Sequence, residues 1–405
     1  MKVQVQQVPI AVPGFRFGGA ACGLKTTRKR DIGLIISEVP ATAAGAFTTN
    51  RVQAAPVQLG RERLRGGRLQ AVVVNSGNAN AYTGREGLRA ARTMCRVVAQ
   101  QLGIREQLVV PSSTGRIGIP LPLEKVRRGV IAACRDASAG GFHRALEGIM
   151  TTDAFAKFAV EGVVLDGREV TIAGMAKGAG MIAPRMALHA TMLSYIVTDA
   201  RVSRAALRRA LALGLPQSFN AAVVDGDTST NDTLLLLANG VAGNRTLTPA
   251  AAGFAEFAGA VGRVMRALAR MLVQDGEGAT KVIDITVRGA RSRADAQRVA
   301  DTIARSPLCK TAFFGGDPYT GRIVCAAGYS GAVFDPARLD IFLGDVQVVR
   351  RGVELTGKVE RRAAQITARP EFALMLDLHA GHAVAHRMCS DLTPDYVRFN
   401  SAYRT

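Results

Sequence analysis

The sequence predicts a mixed, layered α/β protein, and three observations carry that expectation. Short apolar runs with strand composition alternate with amphipathic stretches of helical length along the whole chain. Hydrophobic residues make up 48% of the 405 residues and charged residues 21%, the balance of a folded chain with a core large enough for two or three lobes. No repeat with a period of about 20–50 residues is visible, and no low-complexity linker divides the chain.

Taken in order, residues 1–60 read as short strands and turns, with the Gly-rich turn GGAACGLK (18–25) ahead of GAFTTNRVQAAPV (45–57). Gln70–Val74 is an apolar run bounded by turn residues, which predicts a buried strand. It leads into NSGNANAYTG (75–84), a loop of the kind that holds unusual backbone and presents amides to a ligand. A helix is predicted from Arg85 to Gln101, stopped by Gly103. A second strand-to-loop transition is LVVPSSTGRIG (108–118), followed by helices over Leu123–Ala137 and Gly141–Met150. MTTDAFAK (150–157) opens onto strands from Phe155 to Val164 and from Glu169 to Ile172, split by the turn Asp166-Gly167. Further on come a strand (192–198), a helix (203–213), and two apolar runs flanking the polar turn Asp225 to Asp232. A helix from Pro249 to Leu272 ends at VQDGEGATK (273–281); strand Val282–Val287 and helix Arg293–Arg305 follow it.

Lys and Arg number 52 against 32 Asp and Glu, a formal charge of +20. The basic residues are mostly arginines spread along helices, there is no Trp, and no basic motif is interleaved with aromatics for base stacking. The charge therefore reads as a solvated surface rather than a nucleic-acid face. Six cysteines without a CxxC pair read as reduced thiols of a cytoplasmic protein. The first residues lack the apolar core of a signal peptide, and no apolar run reaches the ~18 residues of a membrane span.

Candidate chemistry gathers in the stretch KGAGMIAPRMALHATMLSYIVTD (177–199). Thr191 follows a small residue, Ala190, and heads an apolar run. On the residues alone it either opens a strand or is a point of self-cleavage. Cutting there would pair a hydroxyl nucleophile with its own α-amine, whose unperturbed pKa of about 7.7–8.0 suits a general base. The turn Ser112-Ser113-Thr114-Gly115 is either an ordinary turn or a hydroxyl and an N–H aimed at one point, as an oxyanion hole requires. Glu277, between two glycines, suits a charged ligand. Asp225-Gly226-Asp227 reads as turn-forming. His379, His382 and His386 fall at helical spacing, but with Gly381 among them and no named zinc pattern they do not read as a metal site.

Eleven segments in order resemble the ornithine acetyltransferase family, also called the glutamate N-acetyltransferase family of arginine biosynthesis. They are GAFTTN (45–50), NSGNANA (75–81), PSSTG (111–115), MTTD (150–153), KGAGMIAP (177–184), ATML (190–193), SFN and VDGDTSTND (within 218–232), DGEGATK (275–281), KTA (310–312), DP and GRI (within 317–323), and the tail 390–405. The resemblance implies an N-terminal-nucleophile-like, self-processing fold of the ornithine acetyltransferase and aminopeptidase type. It implies cleavage between Ala190 and Thr191, an α chain 1–190, a β chain 191–405, and an α2β2 assembly. Thr114 and Gly115 match the family's oxyanion hole. Thr151, Lys177, Thr191, Glu277, Asn400 and Thr405 match its substrate contacts. The implied reaction moves an acetyl group from N2-acetyl-L-ornithine to L-glutamate through an acetyl ester on Thr191, with no cofactor and no metal. Acetyl-CoA is admitted as a co-substrate, and no residue decides whether it is used.

Four departures stand out. Arg185 replaces a usual Asn, three extra residues (Leu188-His189-Ala190) precede Thr191, and DPYTGRI and Tyr82 differ from the family pattern. Two alternatives stay open at this point: a related self-processing amidase or aminopeptidase in which water takes the acyl group, and a non-enzymatic basic paralogue.

Overall fold

The computed structural model describes residues 9–183 and 192–402, and strand pairing sorts them into two sheets. The chain begins with β1 (Phe15–Ala20), β2 (Ile32–Phe47), α1 (Ala55–Leu64), β3 (Arg68–Asn78), α2 (Gly84–Leu102), β4 (Val109–Arg116), α3 (Leu123–Asp136) and α4 (Phe142–Ile149). It continues with β5 (Lys157–Leu165), β6 (Arg168–Lys177), β7 (Leu193–Thr198), α5 (Arg204–Gly214), β8 (Ala222–Val223), β9 (Thr233–Ala238), α6 (Phe254–Gln274) and β10 (Val282–Ala290). The remainder is α7 (Arg293–Arg305), α8 (Pro307–Gly315), α9 (Gly321–Gly328), β11 (Asp340–Leu343), β12 (Val346–Arg350), β13 (Val353–Glu354), α10 (Lys358–Thr367), β14 (Glu371–Asp377), β15 (Ala383–Ser390) and α11 (Pro394–Ala402).

The first sheet runs β4-β3-β2-β9-β7-β6-β5, with β1 added on β2. Its β3–β4 and β7–β9 pairs are parallel and the rest antiparallel. The run Leu234–Leu237 shows why it is central. Leu234 and Leu236 join the apolar layer under α5 and α6, and Leu235 and Leu237 join the opposite layer with Phe142 and Tyr195. Both faces are covered, so the strand is apolar throughout instead of alternating. The second sheet, β13-β12-β11-β14-β10-β15-β8, carries its own core with Ile303, Phe313 and Ile366 from the helices around it. The segments on either side of position 190 share the first sheet, because β7 lies between β6 and β9.

Several elements match the sequence reading closely. The α7 helix spans the predicted residues, Gly103 ends α2 in the left-handed region at φ 65°, and Asp166 and Gly167 turn between β5 and β6 with φ 54° and 72°. The first 60 residues differ. Instead of short strands they hold the 16-residue β2. Pro40 does not end it, because a register shift between Ile36 and Ala41 absorbs the proline and redirects the strand from β3 toward β9. Helix α1, with Pro56 in its first turn and Arg61 and Arg63 in its last, was not expected from the sequence. The helix predicted from Pro249 begins at Phe254, and residues 309–324 fall largely in the two short helices α8 and α9.

Leu236 is fully buried in the layer beneath α5 and α6. Leu236→Ala is expected to cost about 2–5 kcal/mol of stability, read as a lowered denaturation midpoint with an unchanged denaturant slope.

Candidate active site

One end of the first sheet opens into a cleft of about 140 Å³. Thr114, Gly115, Thr151, Lys177, Glu277 and Asn400, drawn from five stretches of the sequence reading, all line it. Ala190, Thr191 and Thr405, as well as Arg185 and Leu188-His189-Ala190, lie outside the described residues. Met192, which follows Thr191 in the chain, lines the cleft.

Thr114 and Gly115 sit near the end of β4, whose parallel ladder sets Gly115 opposite Gly77 of β3. Gly115 has φ +127°, and a Cβ there would stand 2.4 Å from the Gly77 carbonyl carbon, so only glycine fits. Buried amides brace this edge. Asn231 Nδ2 donates to the carbonyls of Ala79 (2.6 Å) and Ser113 (2.8 Å), and Ser113 Oγ donates to Asn75 Oδ1 at 2.6 Å. Asn75 Nδ2 and Asn80 Nδ2 donate to the carbonyls of Asn78 and Gly87. This corrects the expectation for the loop at 75–84. Its asparagine amides satisfy the protein's own backbone, because Asn75, Asn78 and Asn80 are buried and the nearby carbonyls need donors. The GAFTTN segment is structural in the same way: Thr48 Oγ1 donates to Ser229 O and Asn50 Nδ2 to Thr228 O, holding the polar turn against the cleft.

Lys177 ends β6 and is 8% exposed. Its ammonium donates to Thr151 Oγ1 at 2.7 Å and to Thr114 Oγ1 at 3.1 Å. As an acceptor of that bond, the Thr114 hydroxyl keeps its own proton to donate elsewhere. Burial pulls the Lys177 pKa down, while the Asp153, Glu277 and Asp232 carboxylates oppose the shift.

Beneath Lys177 lies a buried ion network that the sequence reading did not single out. Lys157 is 0% exposed and donates to Asp153 Oδ1 at 2.7 Å and to Asp275 Oδ2. Asp153 also accepts the N–H groups of Thr151 (2.8 Å) and Gly178 (2.7 Å), and Asp275 accepts that of Ala154. Burial pushes the Asp153 carboxyl up, but Lys157, Lys177 and the Gly178 N–H hold it far below the usual carboxylate range. Asp275 goes the other way, raised by burial and by the Asp153 charge although it shares the same lysine. One cation serves two carboxylates, and Asp153, with more donors, is the more acidic of the two. The i,i+4 pair Asp153–Lys157 is visible in the sequence, but nothing there says that both are buried or that Asp275 completes them.

Glu277 faces Lys177 from the loop after α6. It accepts Thr152 Oγ1 at 2.8 Å and Asn400 Nδ2 of α11 at 3.0 Å. Gly180 leaves room for it, since a Cβ there would meet the Glu277 carboxylate at 2.4 Å. Asp225 shapes its turn as the sequence suggests, accepting the N–H groups of Met181 (2.6 Å), Ile182 (2.9 Å) and Asp227 (3.1 Å); it also lines the cleft. The three histidines are not on a helix. His386 is in β15, its Nδ1 3.0 Å from Thr286 Oγ1, and His379 follows β14 and bonds Asp340 at 2.9 Å. Among the described residues no group of three or more His, Cys, Asp or Glu could hold a metal ion, and no helix is long and apolar enough to cross a membrane.

Comparison with known proteins adds a second line of observation. The ArgJ family pattern matches residues 16–405. The chain is 48% identical over 397 residues to the arginine biosynthesis bifunctional protein ArgJ of Symbiobacterium thermophilum, with 98% of each chain covered. It is 46% identical over 394 residues to the protein of that name from Geobacter sulfurreducens, covering 97% of this chain and 100% of that one. A crystal structure of ornithine acetyltransferase from Mycobacterium tuberculosis complexed with ornithine is similar to 44% of this chain and 94% of its own, at 38% identity and a TM-score of 0.40.

Replacing Lys157 by Met leaves two buried carboxylates facing each other. Lys157→Met is expected to cost about 3–5 kcal/mol at neutral pH. Without the lysine both carboxyls titrate higher, so the penalty is full while they are charged and shrinks as the pH falls and they take up protons. Denaturation curves at several pH values check this; a pH-independent penalty contradicts it.

Proposed function

The chain belongs to the ArgJ family of arginine biosynthesis, and from that premise we propose that it moves the acetyl group of N2-acetyl-L-ornithine to L-glutamate through an ester on Thr191. One observation carries the reading: Thr114, Gly115, Thr151, Lys177, Glu277 and Asn400 converge on one cleft, and the residue bonded to Thr191 lines it too.

Self-cleavage between Ala190 and Thr191 frees the Thr191 amine. Its Oγ attacks the acetyl carbonyl while the amine takes the hydroxyl proton. The Thr114 O–H and the Gly115 N–H donate to the oxyanion, and the bond from Lys177 supports this role by orienting the Thr114 hydroxyl. The tetrahedral intermediate collapses, the C–N bond breaks, and the ornithine amine leaves with the proton held by Thr191. Glutamate then attacks the ester through its own amine and departs as N-acetylglutamate, restoring the threonine hydroxyl. Lys177 suits the α-carboxylate common to both amino acids. Glu277, held by Thr152 and Asn400, suits an ammonium. Thr405 closes the substrate contacts. The relatives' description as bifunctional supports a second activity, for which we take acetyl-CoA-dependent acetylation of glutamate at the same threonine. The pieces 1–190 and 191–405 remain paired through β6 and β7 and assemble as a cytoplasmic α2β2 protein.

Intact-mass spectrometry tests the reading directly. Purified protein is expected as two pieces, 1–190 and 191–405, and Thr191→Ala as one. Incubation with acetylornithine adds one acetyl group to the second piece, and glutamate removes it. An active, uncut chain refutes the mechanism, and acetate released without glutamate indicates transfer to water instead.

Thr114→Val is expected to lower kcat about 10²–10³-fold with the cut pieces still formed, measured by steady-state transfer. Lys177 acts as an ammonium, and its pKa lies below the ordinary 10.5. The alkaline limb of kcat/KM therefore falls at a pH lower than an unperturbed lysine would give, and Lys177→Arg abolishes that limb.

A further inference from the structure

We propose that a groove at the opposite end of the first sheet binds a small phosphate-chain anion, such as inorganic triphosphate or the triphosphate of a nucleotide. The groove has a volume of about 890 Å³, within the range of small-molecule sites, which runs to about 1,000 Å³. Arg68, Arg105, Arg201 and Arg204 line it, and among the described residues no Asp or Glu does.

The arginines are arranged by the fold. The stem of Arg204 lies on Gly67, where a Cβ would meet its Cδ at 2.8 Å, and its guanidinium donates to the carbonyls of Leu64 and Arg65, both at 3.1 Å. Arg68 donates to Pro40 O at 2.8 Å. These carbonyl bonds fix two guanidinium groups and leave their charge without a carboxylate partner. Arg201 rests on Gly240, whose Cβ would meet the Arg201 Cβ at 3.4 Å. Ser203 and Arg204 are the cap and first residue of α5, so the positive end of an 11-residue helix adds to the same field.

Four guanidinium groups around one concavity repel one another, and a multivalent anion relieves that repulsion while filling their donors bidentately. The lining has no aromatic side chain to stack a base, which favours a small phosphate chain over a nucleic-acid strand. The site is separate from the catalytic cleft. It meets β9 at Ala238, whereas the cleft lies beyond Thr233 at the other end of that strand, about 17 Å away at the usual rise.

Isothermal titration of the whole protein with inorganic triphosphate at low and at physiological salt tests the site, with ATP as a second arm. Saturable binding is expected, weakening as salt rises. Arg105→Glu with Arg201→Glu, both exposed in the free protein, is expected to weaken it at least about tenfold with acetyl transfer unchanged. Arg127→Glu with Arg128→Glu on the outer face of α3 makes the same charge change elsewhere and is expected to leave binding intact. ATP binding as tightly as triphosphate assigns recognition to the phosphates alone, and tighter ATP binding adds a nucleoside contact. Absent binding, or equal weakening by the two charge reversals, overturns the proposal.

Discussion

The cleft depends on one buried cation. Lys157 has no exposed surface, and its ammonium joins Asp153 to Asp275 across more than a hundred residues of chain. Removing three charges from water is costly, and the network is tolerable because backbone N–H groups complete the carboxylates. It gains position in exchange. Asp153 fixes the loop carrying Thr151 and Thr152 and also the backbone at Gly178, next to Lys177. Asp275 is two residues from Glu277 and fixes its loop against Ala154. Three segments that line the cleft are thereby referenced to the same ammonium.

The edge that carries Thr114 and Gly115 is held by different means. Its backbone conformation is set by a glycine pair, Gly77 and Gly115, whose close approach excludes any side chain. The carbonyls of Asn78, Ala79 and Ser113 along that irregular ladder are met by the side-chain amides of Asn75 and Asn231. This suits the proposed oxyanion role, because donors already in place need no reorganisation when charge develops.

Much of this was legible in the sequence, and the limits have physical causes. Elements with strong periodicity and clear punctuation, such as α7 and α2 with its Gly103 stop, match because local chemistry decides them. Strand β2 was missed because residues 1–60 read locally as short strands and turns, whereas pairing with β3 and then β9 keeps it extended. Thr114, Gly115 and Glu277 stood out as local candidates, whereas Thr151, Lys177 and Asn400 were legible through motif resemblance; the structure brings all six to one cleft. Lys157 was passed over because burial of a lysine is a tertiary fact: it needs Asp275, 118 residues away, to be tolerable. The asparagines of 75–80 were misread for a similar reason, since composition does not say whether an amide faces a ligand or its own backbone.

The link between β6 and β7 is where function and fold are least in conflict. These strands are antiparallel neighbours, paired from Lys177–Leu193 to Ile172–Thr198, and β7 is paired on its other side with β9. A break in the connection leaves that ladder and its hydrophobic layers untouched, so the proposed cut removes one loop closure and little else. Three extra residues before Thr191 change the same quantity. Lengthening a connection of this size from about 12 to about 15 residues costs only about 0.2 kcal/mol of closure entropy. Sheet pairing, not the connection, sets where β7 begins, and Met192 is held at the cleft by Thr233 N–H donating to its carbonyl at 2.8 Å. The proposed nucleophile is bonded to a residue whose place the sheet sets, so the proposed role does not depend on the length of chain before it.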